Sequence, residues 1–143
     1  MRSAIRALSS NPDRLLDWLV ALIALHSLAV GAALVFLTEW GVRFGGWTGA
    51  YPLFFPRQFG VFHFAIAAAY LIERFAYRGV SILLVAKFVA FVSLIDATFR
   101  FGDSWTIPLS AIGDGLMGLV VFVVWRWTQR WPRGLHPSAS RQH

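Results

Sequence analysis

Four long apolar stretches fill most of this chain, and nearly all of its charge lies at their ends. They run from Leu15 to Leu37, Phe59 to Ile72, Val80 to Phe99 and Ile107 to Trp127. A helix needs roughly 20 residues to cross a bilayer core of about 30 Å. Three stretches meet that length outright, and the second meets it once its aromatic flank out to Tyr77 is included. The pattern fixes the solvent: it predicts an all-α, polytopic membrane four-helix bundle. Backbone polar groups in lipid must be satisfied internally, which leaves helices as the spanning element.

Start and stop signals bracket each span. Asn11-Pro12-Asp13 predicts a helix start, with Asn11 as cap, Pro12 at the first helical position and Asp13 at the positive helix end. Pro56-Arg57-Gln58 and Thr106-Ile107-Pro108 open the second and fourth spans, Gly79 makes the tight turn between the second and third, and Trp131-Pro132 closes the fourth. The predicted spans are 12–38, 56–78, 80–101 and 107–131. With their connections they form one domain over 1–132, and 133–143 is a polar, disordered tail. The apolar run after Arg2, Arg6 and Arg14 is too long for a signal-peptide core, so the first span is expected to stay uncleaved.

The basic residues set the expected orientation. Arg2, Arg6, Arg14, Arg74, Arg78, Arg126, Arg130, Arg133 and Arg141 fall on one side. Arg43, Arg57 and Arg100 fall on the other, and Lys87 lies within a span. Nine against three places both termini in the cytoplasm by the positive-inside rule. The net charge of +6 is therefore read as topology and headgroup contact, with no nucleic-acid partner. All seven tryptophans lie near span ends, as an interfacial belt would have them. The connection from Glu39 to Phe55 is rich in glycine and aromatics, and is expected to lie on the membrane surface or fold back over the bundle mouth. Ser27 and Gly31, Ala111 and Gly115, and Asp114 and Gly118 are each four apart, the small-residue spacing that lets helices approach in lipid.

Cysteine is absent, which excludes disulfides, thiol catalysis and cysteine-ligated metals. There is no Gly-x-Ser-x-Gly, and Ser81, Ser93 and Ser110 have no histidine close by in sequence, so no catalytic residue is assigned. The intramembrane polar residues are His26, His63, Glu73, Lys87, Asp96 and Asp114. Each unpaired charge at such depth costs about 3 kcal/mol or more, so these groups should find partners. Reflection about the Gly79 turn brings Glu73 level with Ala86, beside Lys87, and His63 level with Asp96. This predicts a buried Glu73–Lys87 pair and an intramembrane cluster of His63, Asp96 and Asp114. Lys87 and Asp96 are half a turn out of phase, so the two pairs cannot both face one neighbour. Asp17 and Glu39, at span ends, are expected to be solvated. Such a set can lock helix register, pass protons or hold a polar headgroup. A metal site is not predicted, since no His-x-x-x-His spacing occurs within a span.

Pro56-Arg57-Gln58-Phe59-Gly60 and Gly113-Asp114-Gly115-Leu116-Met117-Gly118, within four spans, resemble the bacterial DoxX-like group of small four-helix membrane proteins. The first span departs from that group in lacking its arginine-led opening. The resemblance implies the bundle fold, the bacterial cytoplasmic (inner) membrane, and a link to redox or quinone-associated systems. It carries no catalytic residue over. The expected function is an accessory or structural subunit of a larger membrane complex, with lipids and other membrane subunits or its own copies as partners. The alternative is a proton-coupled carrier, or a quinone- or lipid-handling protein, using His63, Asp96 and Asp114.

Overall fold

The computed structural model describes residues 12–47, 52–100 and 104–130. The described chain is entirely helical apart from its turns: α1 (Pro12–Phe36), α2 (Thr38–Phe44), α3 (Phe54–Tyr77), α4 (Ser81–Arg100) and α5 (Thr106–Arg130). All but α2 are long and apolar enough to cross a membrane. Asn11, the outermost arginines, the Trp131–Pro132 closure and the polar tail lie outside the described residues.

Proline marks the first turn of three helices: Pro12 opens α1, and Pro56 and Pro108 are the third residues of α3 and α5. The amides of a first turn have no intrahelical acceptor, so proline forfeits nothing there. The openings predicted at Pro56 and at Thr106 are therefore also observed, with α3 starting two residues before Pro56.

The turn between α3 and α4 is built differently from expectation. The left-handed residue is Arg78 (φ 59°), not Gly79. The Arg78 and Gly79 amides donate to the Arg74 and Glu73 carbonyls at 3.2 and 3.1 Å, closing the helix end. The Glu73 carboxylate then accepts from the Ser81 and Ile82 amides, both at 2.8 Å, and from the Ser81 hydroxyl. A carboxylate at a helix start satisfies orphan amides and meets the positive end of the dipole. Gly79 is needed for room: a Cβ there would lie 2.7 Å from Glu73 Oε1.

The helices associate as two pairs. α1 packs along α3, α4 packs along α5, and α1 joins the pairs through α5, whereas α3 and α4 meet only sparsely although one turn connects them. The main apolar core lies in the half of the bundle nearest that turn. Leu16, Val20 and Ile23 of α1, Tyr70 of α3, Val80, Leu83 of α4, and Val121 and Val124 of α5 converge there. At the opposite end, α2 meets the start of α5. The Ser104 and Thr106 hydroxyls both donate to the Gly45 carbonyl, and the Phe44 and Trp105 rings meet edge to face. Arg57 Nε also donates to Thr38 Oγ1 at 3.1 Å. The described first part of the 39–55 connection thus holds a short helix whose end meets the start of α5.

Candidate functional site

Only Leu83 and Lys87 are buried on α4, one turn apart. Both lie on its inward stripe. The α5 backbone comes close on that side because two glycines face it. A Cβ on Gly118 would sit 3.2 Å from Lys87 Cβ, and one on Gly115 would sit 2.8 Å from the Phe91 ring. This register sets Lys87 opposite Gly118, one turn short of Asp114. The lysine stem spans that turn and places Nζ 2.5 Å from Asp114 Oδ1. The side chains are 8% and 17% exposed, so the ion pair is held inside the bundle.

Other polar groups gather near this pair. His26 of α1 lies within electrostatic reach of Lys87, Asp114 and His63, and Tyr70 of α3 within reach of Asp114. Tyr70 is 3% exposed. His63 Nδ1 is 3.0 Å from the Phe59 carbonyl, and its ring stands edge-on to Phe59. A hydrogen on Nδ1 makes that bond and leaves Nε2 as an acceptor.

Several expected contacts are therefore replaced. The Glu73–Lys87 pair does not form: Glu73 caps α4, and Lys87 turns to Asp114. The matched depths on α3 and α4 are not used because these two helices diverge beyond their turn. Of the cluster His63, Asp96 and Asp114, the first and last share the neighbourhood of His26. Asp96 does not join them. It lies on the outward side of α4 and pairs with Arg100 of its own helix at 2.7 Å, with side chains 59% and 67% exposed. The half-turn between Lys87 and Asp96 is resolved by one facing in and the other out.

A second buried ion pair was not anticipated. Arg74, 3% exposed, donates from Nε to Asp17 Oδ1 at 2.7 Å and from Nη2 to the Asp13 carbonyl at 3.2 Å. Asp17 is thus bonded within the bundle rather than merely solvated. Its signal lies in the α1–α3 register, where Gly31 faces Gly60 and, fourteen residues away on each helix, Asp17 faces Arg74. The long connection between these helices hides that register from the sequence. The Lys87–Asp114 pair was more accessible, since reflection about the short connection near residue 103 puts Lys87 level with Leu119, on the same helix as Asp114 and about a turn and a half from it.

Chemically, the Lys87–Asp114 pair is neutral overall, and removing either partner would strand a charge in low dielectric. Lysine has three donors, and only one is used by Asp114, so the pair has capacity for a further hydrogen-bonding group. Among the described residues no group of three or more histidines and carboxylates could hold a metal ion. The chain matches no family model, no curated protein and no solved structure.

Proposed function

We propose that this chain is a DoxX-like integral membrane protein of the bacterial cytoplasmic membrane, both termini cytoplasmic, that serves as an accessory or structural subunit of a larger membrane assembly. One observation carries the reading. No buried side-chain nitrogen or oxygen among the described residues lacks a hydrogen-bond partner. Glu73, Arg74, Lys87 and Ser104 are all buried and all bonded within the chain. A transport path needs polar groups left for its cargo or for water. A core whose polar groups answer one another instead fixes helix register, which is what a scaffold requires. The outward faces are apolar and suit lipid or neighbouring helices.

Purification of the full chain from its native membrane in mild detergent, with mass spectrometry of what remains bound, tests this. Recovery of another membrane protein in fixed ratio is the expected result. Recovery of the chain free of any other protein overturns it.

The gathering of His26, His63 and Tyr70 around Lys87–Asp114 favours a second reading, a proton-coupled carrier or a quinone- or lipid-handling protein. In that case the spare Lys87 donors and His63 Nε2 would meet the cargo's polar head.

A further inference from the structure

Two polar side chains inside the spans have nothing in the chain to bond. Tyr70 packs its ring in the apolar core and is 3% exposed, yet its hydroxyl bonds no described residue. Among the described residues no fully enclosed side-chain nitrogen or oxygen is without a partner. The Tyr70 hydroxyl is therefore not enclosed: it sits at the edge of the packing and looks onto open space, with Asp114 within its electrostatic reach. His26 is the second such group, near the middle of α1. It lies within reach of His63 of α3, Lys87 of α4 and Asp114 of α5, yet it is exposed. A side chain that neighbours groups on all three other long helices and still has an open surface borders a recess among them.

The recess follows from the way the helices associate. α3 and α4 meet only sparsely beyond their turn, and Leu83 and Lys87 are the only buried residues of α4. From Lys87 onward α4 packs along α5 and leaves a gap toward α3. The core around Tyr70 and Leu83 closes the gap on the turn side. Its flanks are apolar spans. Within a bilayer such a gap fills with hydrocarbon, and the polar groups at its inner end meet whatever head that hydrocarbon carries.

Charge selects the head. Lys87 and Asp114 neutralise one another, and a permanent ion beside them would add an unmatched charge in low dielectric. The groups left over are the two remaining Lys87 donors, the Tyr70 hydroxyl and the imidazole nitrogens, with His63 Nε2 free to accept. They match an uncharged head that both accepts and donates. A carboxylic acid does this: its carbonyl accepts from Lys87 or Tyr70, and its O–H donates to an imidazole nitrogen. If the proton passes to that nitrogen, the electron pair of the broken O–H bond stays on the carboxylate, the imidazolium faces it, and the site is still neutral overall. We propose that the recess between α3 and α4 binds a long-chain carboxylic acid, its head on His26, Tyr70 and Lys87 and its chain in the gap. The proposal rests on the second reading above and narrows the cargo to a fatty acid.

Equilibrium binding of radiolabelled palmitic acid to the full chain in mild detergent tests it, and saturable binding at a single site is expected. Tyr70→Phe and His26→Leu each remove a group that bonds nothing in the chain, so helicity should be unchanged. Each should weaken binding about fivefold, the scale of one hydrogen bond. Asp96→Asn, on the outward side of α4, should leave binding as in wild type. Palmitic acid that binds equally to all four proteins, or to none, overturns the proposal. Should His26→Leu misfold, Tyr70→Phe, which deletes one oxygen, decides. Hexadecanol, the alcohol of the same chain length, separates the proposal from the reading beneath it. Saturable binding of hexadecanol alone, weakened by the same two variants, overturns the carboxyl head and leaves the lipid-handling reading standing. Saturable binding of neither removes that reading as well.

Discussion

The two helix pairs use the same parts in opposite arrangements. In α1–α3, glycine meets glycine: a Cβ on Gly31 would lie 2.8 Å from the Gly60 carbonyl oxygen, and one on Gly60 2.9 Å from that of Gly31. Backbone touches backbone, and the ion pair, Arg74–Asp17, sits near the end of the helices with Arg78 beside it. In α4–α5, glycine meets side chain, with Gly115 under Phe91 and Gly118 under Lys87. There the ion pair, Lys87–Asp114, lies well inside the span. The first pair is specified by sterics and secured by charge at its edge. The second is specified by charge and fitted by small residues. Depth makes the difference, because a charge left unpaired is tolerable near water and costly in the apolar interior.

The largest expected effect breaks the deep pair. Lys87→Met leaves Asp114 without its partner and should destabilise the bundle by about 3–5 kcal/mol. Adding Asp114→Asn, which removes the stranded charge, should restore most of that loss. Unfolding in mixed micelles, followed by circular dichroism, measures both. Additive losses in the double variant would show that the two residues act separately.

The next test sharpens the contrast between backbone and side-chain contact. Gly60→Ala pushes a methyl into Val35, Leu34 and the Gly31 carbonyl, all within 2.9 Å. Overpacking of this kind costs about 1–3 kcal/mol, and backbone has the least room to yield. Gly115→Ala meets only the Phe91 ring, which is half-buried and can turn aside. Its loss should fall at or below the low end of that range, read on the same unfolding curves. A larger loss for Gly115→Ala than for Gly60→Ala would reverse the assignment of sterics to the first pair and charge to the second.

The smallest effect belongs to Asp96→Ala. Its bond to Arg100 is an exposed pair within one helix, and such pairs contribute about 0.3–0.5 kcal/mol. A loss comparable to that of Lys87→Met would mean that Asp96 meets something beyond its own helix, such as a neighbouring subunit.

Much of the architecture was legible in the residues. The four spans and their openings follow from apolar length and from prolines in first turns, both local properties. The small-residue spacings at Ser27–Gly31 and Ala111–Gly115 marked surfaces that do become buried or closely approached. The candidate site was legible only in part. Lys87 and Asp114 stood out because charge in an apolar span must be answered, but their pairing did not. The turn at Gly79 suggested that α3 and α4 stay together, and that guess assigned Lys87 to Glu73.

What the sequence by itself determined is therefore the solvent, the number of long apolar helices and the short list of groups that cannot remain unpaired in lipid. Length, hydropathy and charge act residue by residue, and no partner is needed to read them. What only the tertiary structure decided is who answers whom. Arg74 with Asp17, Lys87 with Asp114 and Glu73 with the start of α4 all depend on which helices lie side by side and in what register. That choice is made by the summed fit of Gly31 on Gly60 and of Phe91 and Lys87 on Gly115 and Gly118. A single helix carries the shape of its own surface but not that of the surface it will meet.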